Sequence, residues 1–249
     1  MQLLSLFKDL TLHPKNAEEL KGLILQLAVQ GNLTVNWRIE NPNVESASAL
    51  LERIEAAKEQ LIAEKKIKKE KVIPPIEDDN LLSVIPDNWK LVRISELASL
   101  RAGGDVPKGN FSKEKSDKFN VPIFANGEKN KGLYGYTNKP VITQPSITVS
   151  GRGTIGYTEI RNEPFFPIVR LIVLTPICQL VDLNYMKLVL QATNFKNTGT
   201  SIPQLTVPMV KQKYIFSLAP LEEQKAIVEV VNTLFKEVEA LEELTKERI

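Results

Sequence analysis

Histidine and cysteine are almost missing: His13 and Cys178 are the only ones in 249 residues. Zinc and haem sites are built mainly on those side chains, so no metal or cofactor is expected. A lone cysteine cannot close an internal disulfide. Cys178 stands among Ile177, Leu180 and Val181 and reads as a structural thiol in a reducing cytoplasm. Long apolar runs are lacking too. The most apolar stretch, residues 165–181, is broken by Pro167, Arg170 and Pro176, and a membrane span needs ~20 apolar residues in succession. Residues 1–12 are amphipathic, with neither a basic start nor a cleavage site, so no signal peptide is read there and the expected location is the cytoplasm.

Catalytic motifs are equally scarce. Ser150 lacks the Gly-x-Ser-x-Gly setting of a hydrolase nucleophile. The glycine-rich run 150–156 lacks the Gly-Lys-Ser/Thr ending of a P-loop. There is no Asp/Asn-Pro-Pro-Tyr/Phe segment to hold a base for methylation, and no glycine-rich methyl-donor loop after an opening strand. Pro86-Asp87 could open a nuclease motif, but its downstream match, Glu223-Gln224-Lys225, is better explained as the start of a helix. The expectation is a non-catalytic chain.

What is present is segregated charge. Residues 85–215 carry 17 Lys and Arg against 9 Asp and Glu, residues 220–249 carry 4 against 8, and residues 1–84 carry 11 against 13. The net +2 therefore hides a basic middle between two acidic flanks. A basic domain suits a polyanionic partner.

The flanks read as helices. Apolar residues at threes and fours predict a short helix over 1–12, one over 17–30 closed by Gly31-Asn32, and a long one over 44–71 ending in the charge run 64–71. Pro220, with Glu222 and Glu223 behind it, opens another long helix over 221–249, roughly 43 Å at 1.5 Å per residue. A stripe of that length asks for a second long helix, and 44–71 is the candidate, pairing antiparallel within the chain or across chains through Leu50, Ile54, Leu61, Val228, Val231, Phe235, Val238 and Leu241. Residues 72–88 are proline-rich and acidic, a linker. The basic middle alternates short strands with glycine loops. Strands are expected at 121–125, 146–150, 154–160, 170–174 and 213–218, with a helix over 182–192. Trp89, beside a strand alternation at Leu91 and Arg93, is assigned to the core.

Four segments carry candidate binding groups. In Ser150-Gly151-Arg152-Gly153-Thr154-Ile155-Gly156, the glycines let backbone N–H groups approach a phosphate and Arg152 adds a forked cation. The loop from Arg101 through Gly103-Gly104 to Lys108 is followed by Lys113, Lys115 and Lys118. Asn126, Lys129, Asn130, Lys131, Tyr134, Tyr136 and Lys139 interleave amides, cations and rings. Asn197, Thr198 and Ser201, with Gln204, form a polar turn. Lysine neutralises phosphates, whereas Asn and Arg can each bond a base edge twice.

Three stretches resemble one family. They are Ser201-Ile202-Pro203-Gln204-Leu205-Thr206 followed by Leu218-Ala219-Pro220-Leu221-Glu222-Glu223-Gln224-Lys225, the segment Glu19-Leu20-Lys21-Gly22 through Gly31-Asn32-Leu33, and Ile85-Pro86-Asp87-Asn88-Trp89. All three are similar to the specificity subunits of Type I restriction-modification enzymes, as is the Arg-Gly-x-x-Gly segment Arg152-Gly153-Thr154-Ile155-Gly156. The resemblance implies an α+β chain: one mixed α/β target recognition domain flanked by long coiled-coil-forming helices. Its implied divisions are 1–72, helices that include a spacer; 73–219, the recognition domain; and 220–249, a conserved spacer helix. The implied partners are double-stranded DNA, a methyltransferase subunit and, through the complex, a restriction subunit. Family members usually carry two recognition domains and this chain has one, so a head-to-tail homodimer and a piece of a longer chain both stay open. A recognition fragment of a fused methyltransferase and a coiled-coil scaffold without DNA specificity stay open as well.

Overall fold

A computed structural model describes residues 15–69, 76, 85–193, 195 and 204–246. The helix expected over 1–12 and most of the linker lie outside them.

The N-terminal helices form as their stripes require. Helix α1 (Lys15–Val29) buries Leu20, Ile24 and Ala28, spaced by four on one face. It stops where Gly31 turns left-handed (φ 73) and its N–H reaches the Ala28 carbonyl at 3.0 Å. A single 3₁₀ turn (Asn32–Thr34) and helix α2 (Val35–Glu40) follow. Helix α3 (Ala47–Ala63) is capped by Ser46, whose hydroxyl accepts from the Ala49 N–H. It is shorter than the expected 44–71. Lys65 goes left-handed (φ 56), and the Lys65 and Lys66 N–H groups return to the Ile62 and Leu61 carbonyls. Past Ile62 the charge run offers no apolar side chain to bury, apart from Ile67, and nothing holds the helix on.

Among the described residues the middle of the chain holds nine strands in three sheets. Strand β1 (Lys90–Arg93), the short helix α4 (Ile94–Leu97), β2 (Ala98–Ala102), β3 (Val121–Phe124), β4 (Leu133–Thr137), β5 (Ser146–Val149), β6 (Thr158–Arg161), β7 (Phe166–Pro167) and β8 (Ile172–Pro176) come first. Helix α5 (Leu183–Ala192), α6 (Val207–Lys213), β9 (Ile215–Leu218) and helix α7 (Leu221–Lys246) complete the order. Four strands run β2-β8-β5-β6, all antiparallel. A second sheet runs β4-β3-β7, with β7 parallel to β3. In the third, β1 and β9 pair antiparallel with Lys90 opposite Leu218. That small ladder brings the entry and exit of the middle segment together.

Several elements differ from the sequence pattern: β2, β4 and β7 match no expected strand, the strand expected over 170–174 starts at Ile172, and the one expected over 213–218 starts at Ile215. Residues 154–160 form a strand only from Thr158, because Gly153 (φ 68) and Gly156 (φ 85) turn the chain before it. Helix α6 was not anticipated: Thr206 caps it through the Met209 N–H and Pro208 fits its first turn.

One apolar cluster joins α1, α3, one face of the four-stranded sheet, the β1–β9 ladder, α5 and α7, and a smaller one of Ile142, Phe165 and Val173 lies on the other face. At the centre of the larger cluster is a buried carboxylate. Glu223 accepts from the Thr34 hydroxyl (2.7 Å), the Trp89 indole N–H (2.8 Å) and the Arg38 guanidinium. Trp89 is core, as expected, and its ring stands edge-on to Tyr185. Gln224 beside Glu223 is also buried, donating to the Ala219 carbonyl and accepting from the Asp182 N–H. Helix α7 does find a partner, but it is α1. Lys21 meets Glu239 at 2.9 Å near one end and Arg38, just after α1, meets Glu223 near the other, an antiparallel run. Helix α3 packs on α4 instead.

Candidate nucleic-acid interface

Residues 150–157 are the loop that closes the β5–β6 hairpin, with the Ser150 N–H on the Tyr157 carbonyl and the Gly156 N–H on the Ser150 carbonyl. The loop is anchored at Gly151. Its carbonyl accepts from the Leu205 N–H at 2.9 Å, and a Cβ here would stand 2.6 Å from the Leu205 carbonyl oxygen. Only glycine permits that approach. Arg152, exposed, donates to Gln204 at 3.1 Å. Two segments fifty residues apart in sequence, each singled out on its composition, thus lie against one another. Gly153 and Thr154 are exposed beside Arg152.

Asn126 ties in a third segment. Its side-chain oxygen accepts from the Gly151 N–H at 2.8 Å, and its amide donates to the Val169 carbonyl at 2.6 Å. The Gly127 N–H donates to the Ser150 hydroxyl at 3.0 Å. With both ends of its amide used, Asn126 serves as a stitch between loops. The turn 128–132 then presents Lys129, Asn130 and Lys131 to solvent, the last two left-handed at φ 49 and 52. Arg161 holds this turn from below. It is buried, lies 3.6 Å over the Phe124 ring, and donates to the Thr148 hydroxyl and the Lys131 carbonyl. Lys131 also meets Glu159 at 3.3 Å, and Lys187 meets the other oxygen of that carboxylate at 3.0 Å. Burial pushes the Glu159 carboxyl up, but the two lysines outweigh it and hold the group below its ordinary value.

A second basic region lies along β4. Lys113 sits 3.8 Å over the Tyr134 ring and donates to the Tyr134 carbonyl, while Phe111 stacks tilted on the same ring. Ser112 exchanges both backbone hydrogen bonds with Tyr136, which is half-buried. The Asn110 amide donates to Asn138 at 2.6 Å and its carbonyl accepts from the Thr137 hydroxyl at 2.8 Å, fixing the neighbourhood of Lys108 and Lys139. Lys108, Lys115, Lys118 and Lys139 are exposed, as is Arg101 at the end of β2. Asn197, Thr198 and Ser201 lie outside the described residues.

The helix positions divide cleanly. Leu50, Ile54, Val231 and Val238 are buried by the chain's own core, whereas Leu61, Val228, Phe235 and Leu241 are half-buried. Phe235 is covered on one side by Lys21, 5.8 Å from its ring centre. Cys178 is half-buried and its thiol is pushed up by that burial, as a structural role asks. Among the described residues, no group of three or more His, Cys, Asp or Glu is placed to hold a metal, and no helix is long and apolar enough to cross a membrane.

Sequence reading missed Arg161, Glu223 and Gln224 as organising residues. In sequence Arg161 carries no motif, and Glu223 suits the positive end of a helix dipole. Nothing in a one-dimensional pattern reveals a buried ion partner 185 residues away.

Known proteins bear on this arrangement. The model of the type I restriction modification DNA specificity domain matches residues 86–249. A Mycoplasma pneumoniae protein named as a type I specificity subunit is 33% identical over 153 residues, covering 59% of this chain and 45% of its own. The specificity subunit of the type I restriction enzyme EcoEI from Escherichia coli is 46% identical over 87 residues, 34% of this chain and 14% of that one. Among solved structures, the HsdS subunit from Thermoanaerobacter tengcongensis superposes with a TM-score of 0.53 at 18% identity, over 88% of this chain and 52% of that one. A chain from a type I R-M system, solved for its complex assembly and conformational transition, gives 0.57 at 20% identity over 81% and 53%. The chain thus spans about half the length of these solved relatives and less of the curated ones.

Proposed function

The chain belongs to the type I restriction-modification DNA specificity family, and on that premise we propose that it selects a double-stranded DNA sequence for partner subunits that methylate or cut. The observation that carries the reading is the convergence at Asn126: one side chain joins the Arg152 loop to the Val169 turn, and its own segment continues into Lys129 and Lys131. The loops rest on antiparallel strands, so their cations are offered from a fixed frame. A rigid scaffold carrying polar and basic loops is the arrangement that DNA recognition uses, phosphate contacts for position and base contacts for sequence.

In this reading residues 73–219 recognise DNA. Residues 1–72 and 220–249 are the helical base that holds the recognition segment and docks the methyltransferase subunit, with the restriction subunit joining through the complex. The chain itself performs no chemistry and works in the cytoplasm beside the DNA. A split target is met either by head-to-tail pairing of two copies or by a second recognition segment in a longer chain.

The test is selection from a pool of randomised duplex DNA by the full chain bound to its methyltransferase subunit, followed by sequencing. An enriched motif repeated as an inverted pair at fixed spacing is the expected result. One half-site alone would remove the homodimer and keep the DNA reading. No enrichment, with the methyltransferase shown to be bound, would sink the DNA reading and leave the scaffold.

A further inference from the structure

The turn joining β7 to β8 is tied by backbone hydrogen bonds on several sides, and its two central side chains, Val169 and Arg170, belong neither to the core nor to the loop stitching. It runs Ile168-Val169-Arg170-Leu171 and is closed by the Leu171 N–H on the Ile168 carbonyl at 3.0 Å. Both central residues are left-handed, Val169 at φ 53 and Arg170 at φ 59. Two-residue turns of this hand normally take Asn-Gly, because a Cβ crowds the backbone there. A β-branched valine in that position is an outlier. The conformation is nevertheless tied on all sides. The Val169 N–H donates to the Gly104 carbonyl (2.8 Å), the Arg170 N–H to the Gly103 carbonyl (3.1 Å), and the Ile168 N–H to the Phe124 carbonyl (2.9 Å). The Val169 carbonyl is the one that Asn126 binds.

Strained residues persist where the surroundings over-determine them, and they gather at ligand clamps. Here the strain holds two side chains outward. Val169 is 46% exposed, among the most exposed large apolar residues described, and Arg170 is exposed next to it. Among the described residues the Arg170 guanidinium has no hydrogen bond or ion pair, unlike Arg152 on the β5–β6 loop and Arg161 at the end of β6.

We propose that Val169 and Arg170 form a specificity-determining contact of the DNA site, with Arg170 bonding a base edge and Val169 packing against the adjoining base. A phosphate contact tolerates a loosely held lysine, since the charge is what counts. A base edge needs a planar fork delivered in a fixed direction, which this turn provides. Guanine is the base whose two major-groove acceptors match the fork. The inference rests on the DNA reading above.

The experiment compares wild type, Arg170→Lys, Arg170→Ala and Val169→Gly, each as the full chain with its methyltransferase subunit, in the randomised-duplex selection and in salt titrations. Arg170→Lys is expected to keep the salt dependence of binding and to lose preference at one motif position, on the order of tenfold or more. Val169→Gly relieves the turn, so its melting temperature should hold or rise while discrimination at or next to that position falls. A purely structural turn would move stability and leave the motif alone. If wild type enriches a motif and all three variants enrich the same one undiminished, this inference fails and the DNA reading stands. If wild type enriches nothing, the DNA reading fails and takes this inference with it.

Discussion

Single residues decide how the halves of this chain hold together. Glu223 is fully buried and serves Thr34, Arg38 and Trp89 at once. Glu223→Ala would strand a partly buried guanidinium and an indole N–H, and a broken buried ion pair costs about 3–5 kcal/mol. Urea unfolding should show that loss as a lowered midpoint with an unchanged slope; a shift under about 1 kcal/mol would mean that water replaces the carboxylate. Glu159 works differently, at the edge of the interface. Its carboxyl lies below its ordinary value because Lys187 and Lys131 outweigh burial, so it stabilises the fold above its unfolded pKa. That stability is lost as pH falls through the lower, folded value. Glu159→Gln is expected to be less stable at neutral pH and to show a shallower decline on acidification, checked by thermal melts across the acid range.

At the scale of elements, the β5–β6 loop and the strand of chain before α6 form one unit through Gly151. Gly151→Ala would drive a Cβ to 2.6 Å from the Leu205 carbonyl oxygen, and backbone cannot yield cheaply there. The loop should part from residues 204–206, weakening DNA binding while costing about 1–3 kcal/mol of stability; hydrogen exchange at the Leu205 amide reads the separation directly. Such elements were unevenly legible. Helices α1, α5 and α7 follow from apolar spacing, and strands β3 and β5 from runs bounded by turn residues, because those signals are local. The Arg152 loop was found on its glycines and charge. Asn126 is legible as an amide suited to a base edge, and the fold bonds both ends of it inside the protein. Val169 and Arg170 gave no turn signal, since neither residue type favours φ > 0 and the conformation is imposed by Gly103, Gly104 and Asn126 from elsewhere in the chain. The choice of α1 over α3 as partner for α7 was equally hidden, because both carry a stripe and only the closed β1–β9 ladder and the Glu223 cluster select between them.

For the molecule as a whole, charge is laid out by region. The middle segment carries the excess of cations and the helical base the excess of acids. A base of that sign repels duplex DNA and leaves the basic loops to meet it. Binding should weaken steeply with salt, and each cation that touches a phosphate should contribute about 0.9 to the slope of log K against log salt. Replacing Lys129 and Lys131 together by Ala is expected to lower that slope by about 2 if both touch phosphate, with the selected motif unchanged. A slope that does not move would remove the 128–132 turn from the contact.

The pairing of α1 with α7 sets a timetable on the ribosome. The first described helix emerges with Leu20, Ile24 and Ala28 uncovered, and its partner follows nearly two hundred codons later, about 10–40 s at ordinary elongation rates. During that interval the middle segment can fold its sheets and offer α5 to one side of α1, but the side that α7 covers stays open. Until α7 emerges, the rest of that apolar face is open to solvent or to a chaperone.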